Sequence, residues 1–228
     1  MCGRYCLQEG PDDVGSAFDA VVRFSWQPRF NIAPTQRIPV VRRMLQLNGT
    51  PRRDVGGMHW GLIPSWAKDA SFGSRMINAR SETAPEKPSF RKAWVDHRCL
   101  VPATGFFEWA PGESGKQPWL IRRKDRALMA LAGLWACWKG PDGREVESVT
   151  ILTTTPNRFM SKLHDRMPVI LAERDWAAWL DDGSDGTPLD AVAKLASPAP
   201  ERVLDGIQVS RFVNNPANDG PRCIEEVA

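Results

Sequence analysis

No apolar run in this chain approaches the ~18 uninterrupted residues that a membrane helix requires, so no membrane partner is implied. A glycine-rich phosphate loop and a Gly-x-Ser-x-Gly elbow are both missing, which removes support for nucleotide hydrolysis and serine-hydrolase chemistry. Cysteine is sparse. Cys2, Cys6, Cys99, Cys137 and Cys223 form an odd, scattered set, and the opening Met-Cys-Gly-Arg-Tyr-Cys lacks the basic-then-apolar pattern of a secretory signal. A disulfide scaffold is therefore not expected, and a reducing cytoplasmic compartment is (nucleoid-associated in a bacterium). Cys2 and Cys6 stand four apart, but no second Cys or His pair has zinc-ligand spacing, so neither a metal nor a cofactor is expected. Tyrosine is nearly absent, with one residue against ten Trp.

Apolar residues make up 42% of the 228, enough for a sizeable core, and 25% are charged, ordinary for a globular protein. The net charge of +3 is only mildly basic and is weak evidence for nucleic acid by itself. Much of the positive charge is Arg, whose fork binds phosphate bidentately. Trp and Arg together suit a single-strand groove, with flat faces for bases and cations for phosphates, although packing explains a Trp equally well.

Strand-like runs dominate: Ile38–Leu47, Cys99–Trp109 with a bend at Pro102 or Gly105, Trp119–Arg123, Leu128–Trp138, Ser148–Thr154, Pro168–Leu171 and Gly206–Val213. Asp142-Gly143 reads as a hairpin turn. Helical patterns cover Asp12–Val21, a short helix capped by Ser89 and running through Trp94, Arg158–Leu163 capped by Asn157, Ala172–Leu180 and Leu189–Leu195. Asp181–Thr187 reads as a soft polar loop that does not divide the chain. The expectation is one α+β domain over residues 1–228, with a β-rich, barrel-like antiparallel core and flanking helices.

Four places carry candidate chemistry. Cys2 becomes N-terminal if Met1 is removed, and then presents an α-amine and a thiol on adjacent carbons. Their unperturbed pKa values, about 7.7–8.0 and about 8.5, leave both partly nucleophilic near neutrality. Such an aminothiol condenses with an aldehyde to an imine and closes to a thiazolidine, which no internal cysteine can do. The plain alternative is a Cys buried at the start of a strand. Asn78 and Arg80 share a face if their segment is extended, and could orient a polar intermediate and neutralise a phosphate; a solvated loop fits as well. Glu108 is a lone carboxylate inside the apolar run Gly105–Trp109, where desolvation would raise its pKa and suit it to proton transfer, unless it faces water at an edge. His164, followed by Arg166, has the residue type of a proton shuttle. His59 and His97 lack such company and read as structural.

The order of these segments resembles the SRAP family, the SOS-response-associated peptidase domain. The resemblance rests on Met1–Tyr5, Arg29–Pro34, Trp60–Trp66, Ile77–Thr83, Gly105–Trp109, Ala132–Trp135 and His164–Pro168, with Val209-Ser210 and Val213-Asn214 as a C-terminal strand. It implies a monomer that binds single-stranded DNA and cross-links to abasic sites, protecting the damaged strand in the DNA damage response. It further implies Cys2 as nucleophile, and Asn78, Glu108 and His164 as the other active-site residues. Arg4, Arg80 and Arg166 would hold phosphates; Asn31, Pro34, Trp66 and Trp109 would line the DNA channel. Some members carry a second Trp after the one matching Trp66, where this chain has Ala67. Three other readings stay open: a thiol autopeptidase that removes Met1, with possible lyase activity in either case; a non-catalytic reader of damaged DNA; and a purely structural β domain.

Overall fold

Burial follows the apolar runs closely enough to show which strands are central. All six residues of Arg98–Ala103 are buried, and so are the first six of Met129–Lys139 and the last seven of Glu145–Thr154. Strands buried along such lengths must be covered on both faces or closed into a ring. A computed structural model, which describes residues 2–113 and 115–227, shows a ring.

In chain order the strands are β1 (Tyr5–Leu7), β2 (Ala20–Val22), β3 (Arg29–Ile32), β4 (Arg37–Leu45), β5 (Pro51–Trp60), β6 (Asn78–Arg80), β7 (Arg98–Ala103), β8 (Gly105–Gly112), β9 (Gly115–Arg123), β10 (Met129–Lys139), β11 (Glu145–Thr154), β12 (Met167–Pro168), β13 (Ile170–Leu171) and β14 (Leu204–Gln208). Helices α1 (Pro11–Phe18), α2 (Arg91–Asp96), α3 (Trp176–Leu180) and α4 (Leu189–Leu195) flank them. The expected α+β, barrel-like architecture is present. Strands β11, β10, β7, β4 and β5 pair antiparallel in that order, and β5 returns to β11 to close a five-stranded barrel. The closing pair is parallel, through Ser148 opposite His59 and Val149 opposite Trp60, so the core is antiparallel except at this seam. A second sheet, ordered β14-β9-β8-β1-β3, packs beside it.

Several boundaries differ from expectation for local reasons. The run Cys99–Trp109 is two strands, not one bent strand: the chain leaves the barrel at Thr104 and enters the second sheet at Gly105. Thr104 is held at the crossing by its amide to the Cys6 carbonyl (2.8 Å) and its hydroxyl to Glu9 (2.5 Å). A Cβ on Gly105 would lie 2.7 Å from Leu120 Cδ1, so close sheet packing requires glycine there. The helix expected over Asp12–Val21 stops at Phe18, because Asp19 turns left-handed and Ala20–Val22 joins β5 as a parallel strand. Ser89 caps nothing: α2 begins at Arg91 with Phe90 at its N-cap and no side-chain cap bond. By contrast, Asn157 does cap its turn, with Oδ1 accepting from the Met160 amide at 2.8 Å. The strand expected over Gly206–Val213 ends at Gln208 and gives way to a 3₁₀ turn at Arg211–Asn214.

Asp181–Thr187 is ordered around a guanidinium. The buried Asp181 carboxylate accepts from the amides of Gly183, Asp185 and Thr187, and Arg43 bridges Asp181, Asp182 and Asp185 at 2.8–3.1 Å. Burial alone would raise the Asp181 pKa, yet these amides hold it well below the carboxylate range.

Gly61 leaves β5 with φ +133°, and a Cβ there would lie 2.5 Å from the Gly73 carbonyl oxygen. This close approach seats the loop that carries Trp66. Gly61→Ala is expected to cost roughly 1–3 kcal/mol of stability, read from the shift of the urea midpoint.

Candidate active site

The end of β11 collects residues from distant parts of the sequence. On one side β6 pairs with it in parallel, placing Asn78 opposite Ile151 and Arg80 opposite Thr153. On the other side β12 pairs antiparallel, placing Thr154 opposite Met167 and drawing in His164 and Arg166. Two-residue strand periodicity buries Ala79 and turns Asn78 and Arg80 to the opposite face.

The N-terminus reaches the same place through the second sheet. Tyr5 pairs with Phe106, and the Phe107 amide donates to the Arg4 carbonyl (2.9 Å), which runs residues 2–4 alongside β8. Alternation along β8 sends Phe106 into the main core and Phe107 and Trp109 into a smaller cluster with Cys6 and Cys223; Glu108 shares the Phe106 side. Cys2 is fully buried, and its carbonyl accepts from Asn78 Nδ2 at 2.8 Å. Burial, and then the negative charge of Glu108, push the Cys2 thiol well above the usual range. Glu108 is 2% exposed; burial raises its carboxyl pKa, against the opposing charge of His164. The four residues expected to act together therefore converge. His164 lies just past a 3₁₀ turn (Met160–Lys162) that Asn157 caps. Its Nδ1 lies 2.9 Å from the Arg166 amide and 2.8 Å from Asp165 Oδ1. The neutral ring accepts from the first and keeps its proton on Nε2; the protonated ring pairs with the second. Two buried polar atoms, Asn78 Oδ1 and the Tyr5 hydroxyl, have no hydrogen-bond partner among the described residues. Met1, whose removal the aminothiol chemistry needs, lies outside the described residues.

The expected DNA-contacting residues separate into two groups. Arg80 is exposed, and no ion pair engages it among the described residues. Trp66 is 55% exposed and meets Phe72 edge-on, while the following Ala67 is buried. Pro34 is half-buried, two residues past the end of β3. Arg4 lies over the Trp109 ring at 5.5 Å, and Trp109 Nε1 donates to Asn214 Oδ1 (2.7 Å). Arg4 also donates to Asn31 Oδ1 (2.8 Å) and to the Val213 carbonyl (3.0 Å), so it and the remaining two are engaged within the protein. Asn31 is fully buried: Oδ1 accepts from Arg4 (2.8 Å), and Nδ2 donates to the carbonyls of Val213, Asn215 and Asn218. Its place is behind Arg4, not on a channel wall. Arg166 forms a bidentate pair with Glu82 (2.8 and 2.7 Å) and donates to the Thr153 carbonyl (2.7 Å). Sequence reasoning missed Glu82 and Asn214 as supports of Arg166 and Trp109. Glu82 stands within the quoted Ile77–Thr83 segment, and only the pairing of β6 and β12 with β11 reveals its partner.

The family described as SOS response associated peptidase (SRAP) matches residues 1–216. The chain belongs to the SRAP family. Among relatives, it is 40% identical over 229 residues to the abasic site processing protein YoqW of Bacillus subtilis, covering 99% of each chain. It is 31% identical to the abasic site processing protein HMCES of Xenopus tropicalis, covering all of this chain and 78% of that one. Among solved structures, a Bacteroides thetaiotaomicron protein shares the fold over the full length of both chains with TM-score 0.85 at 24% identity. A phage-related protein from Bordetella bronchiseptica aligns over 91% of this chain and 94% of that one, with TM-score 0.70 at 28% identity. The SRAP match and these relatives associate the chain with the processing of abasic sites in DNA.

A raised carboxyl pKa has a sign that stability can read. Below the unfolded pKa of Glu108 both states carry the proton and the contribution to stability is complete. As pH rises through the folded pKa, the unfolded state ionises first and stability is lost. Glu108→Gln removes that loss, so its Tm should gain on wild type as pH rises from about 4 through the raised folded pKa, and level off above it. A constant Tm difference across that range would contradict the burial assigned to Glu108.

Proposed function

We propose that this chain binds single-stranded DNA and captures abasic sites covalently, through a thiazolidine formed by Cys2 once Met1 has been removed. The observation that carries the reading is the placement of Cys2: its carbonyl bonded to Asn78, its thiol under the field of Glu108, and Glu108 in turn under that of His164.

An abasic sugar interconverts between a closed hemiacetal and an open aldehyde. Glu108, whose carboxyl pKa burial raises, can give a proton to the ring oxygen and take up the one that the anomeric hydroxyl releases as the aldehyde opens. The Cys2 amine adds to the aldehyde carbon, and the carbinolamine loses water to give an imine. The free Oδ1 of Asn78 suits a sugar hydroxyl, while Nδ2 fixes the Cys2 backbone. His164, with Nδ1 facing the Arg166 amide, would move protons during dehydration. The thiol then adds across the C=N bond: sulfur bonds to the former aldehyde carbon and the thiol proton passes to nitrogen. Holding amine, thiol and aldehyde in one site supplies the proximity advantage of an intramolecular reaction. Ring closure also removes the imine from which β-elimination would cut the strand.

The order of steps follows from the thiol. Burial and Glu108 oppose a thiolate, so the amine attacks first. Arg4 and Arg80, with the faces of Trp66 and Trp109, would hold the flanking phosphates and bases. Arg166 reaches a phosphate by sharing or exchanging its Glu82 contact. The protein so described is a single-domain monomer acting in the cytoplasm to shield damaged single strands.

Denaturing gels and intact mass with an abasic oligonucleotide test the reading. Wild type is expected to give a heat-stable adduct. Cys2→Ala, with its amine free, should lose that adduct yet retain strand cleavage through the imine, and an additional residue before Cys2 should abolish both. No mass shift with wild type would leave only a non-covalent reader. An equally stable adduct from Cys2→Ala would refute ring closure.

A further inference from the structure

Three surface grooves, of about 710, 700 and 470 Å³, lie apart from Cys2, Asn78, Glu108 and His164. The first, between α1 and the β4–β5 hairpin, has its arginines spent within the fold: Arg43 on three aspartates, Arg52 on Asp54, and Arg53 on the Phe18 carbonyl. The other two differ. They meet at Phe159 and Lys162, which line both, and so form one continuous depression.

Its charge is one-sided. Lys124, Arg158, Lys162 and Arg202 border the smaller groove against one acid, Glu201. All four cations are exposed, and none has an ion-pair partner among the described residues. On the same face Arg123 and Arg126 are paired, with Asp125 and Asp205, so these four stand out. The larger groove adds the half-buried Trp119, with Arg211 and one further acid, Glu113, in its lining.

The fold holds these groups in place. The Asn157-capped turn carries Lys162 toward the depression and leads directly to His164 at the active site. Asn157 Nδ2 also donates to the Ala199 carbonyl (2.8 Å), and the Lys124 amide donates to the Val203 carbonyl (3.0 Å), which ties Lys124 and Arg202 to one 3₁₀ turn. A Cβ on Gly206 would lie 2.7 Å from Phe159 Cζ, so glycine lets the tip of that ring approach β14 closely.

We infer that this depression is a second DNA contact, a track for the single strand as it leaves the reactive site past His164. Unpaired cations along a groove with aromatic faces match the alternating phosphates and bases of one strand. The inference rests on the proposed function for the identity of the strand, but not on the covalent step.

The test compares undamaged single strands of about 6 and about 20 nucleotides, measuring Kd by fluorescence anisotropy at several salt concentrations. With wild type the longer strand should bind roughly tenfold tighter than the short one, with a steeper salt dependence. In Lys124→Glu/Arg202→Glu, which alters two exposed side chains, that length advantage should collapse toward onefold, and the salt slope for the long strand should fall by about 1.4. Circular dichroism confirms the fold of the variant. A wild-type protein with no length advantage, or a variant that retains it in full, overturns the track. The two readings fail separately: an abasic adduct without a length advantage sinks the track alone, and a length advantage without an adduct sinks the covalent chemistry alone.

Discussion

Strand β11 is the constraint on which the site depends. It closes the barrel by a parallel seam with β5, pairs antiparallel with β10, and at its far end is gripped by β6 and β12. Backbone hydrogen bonding leaves little freedom in such a strand, so whatever pairs with its end is fixed in register. Asn78 and Arg80 come in on one side, His164 and Arg166 on the other. The Glu82–Arg166 pair then joins the two flanks over the Thr153 carbonyl.

The second sheet contributes Cys2, the proposed nucleophile, by the same logic. Pairing of β1 with β8 runs Cys2 past Glu108, and one hydrogen bond from Asn78 to the Cys2 carbonyl joins that sheet to the barrel. Burying an ionisable thiol beside a carboxyl group is unfavourable for two anions, so both are held toward their protonated forms. For the proposed amine-first chemistry this would be useful: a carboxyl proton would assist ring opening and dehydration, and a protonated thiol would wait for the imine. Behind the site, Asn31 gathers three carbonyls of the Val213–Asn218 segment and the Arg4 guanidinium around one amide, so the C-terminal segment becomes the support of the N-terminal one.

Legibility in the sequence varied with the kind of interaction. Asp142-Gly143 and the Asn157 cap are local devices, and both appear as read: Gly143 has φ +78°, and Asn157 bonds the Met160 amide. The buried runs of β7, β10 and β11 were visible as apolar stretches. Pro51–Trp60 was not, because Arg52, Arg53 and Asp54 interrupt its apolar pattern, and beyond the Arg52–Asp54 pair within the strand their charges are satisfied by tertiary partners, Arg23 and the Phe18 carbonyl. The acidic loop at Asp181 looked soft for the same reason: its organising cation, Arg43, is far away in sequence.

The amino-acid sequence alone determined the groups available: a cysteine at position 2, a carboxylate embedded among aromatics, one well-accompanied histidine, and the ordered segments that mark the SRAP family. Residue type and local pattern are written in the chain, and no folding is needed to read them. Tertiary structure alone decided which of these groups meet, that Asn31 and Arg166 face protein partners, and that Lys124, Arg158, Lys162 and Arg202 have no ion-pair partner among the described residues around one depression. Those outcomes depend on strand pairing between residues far apart in sequence, and pairing partners are set by the closure of the barrel as a whole.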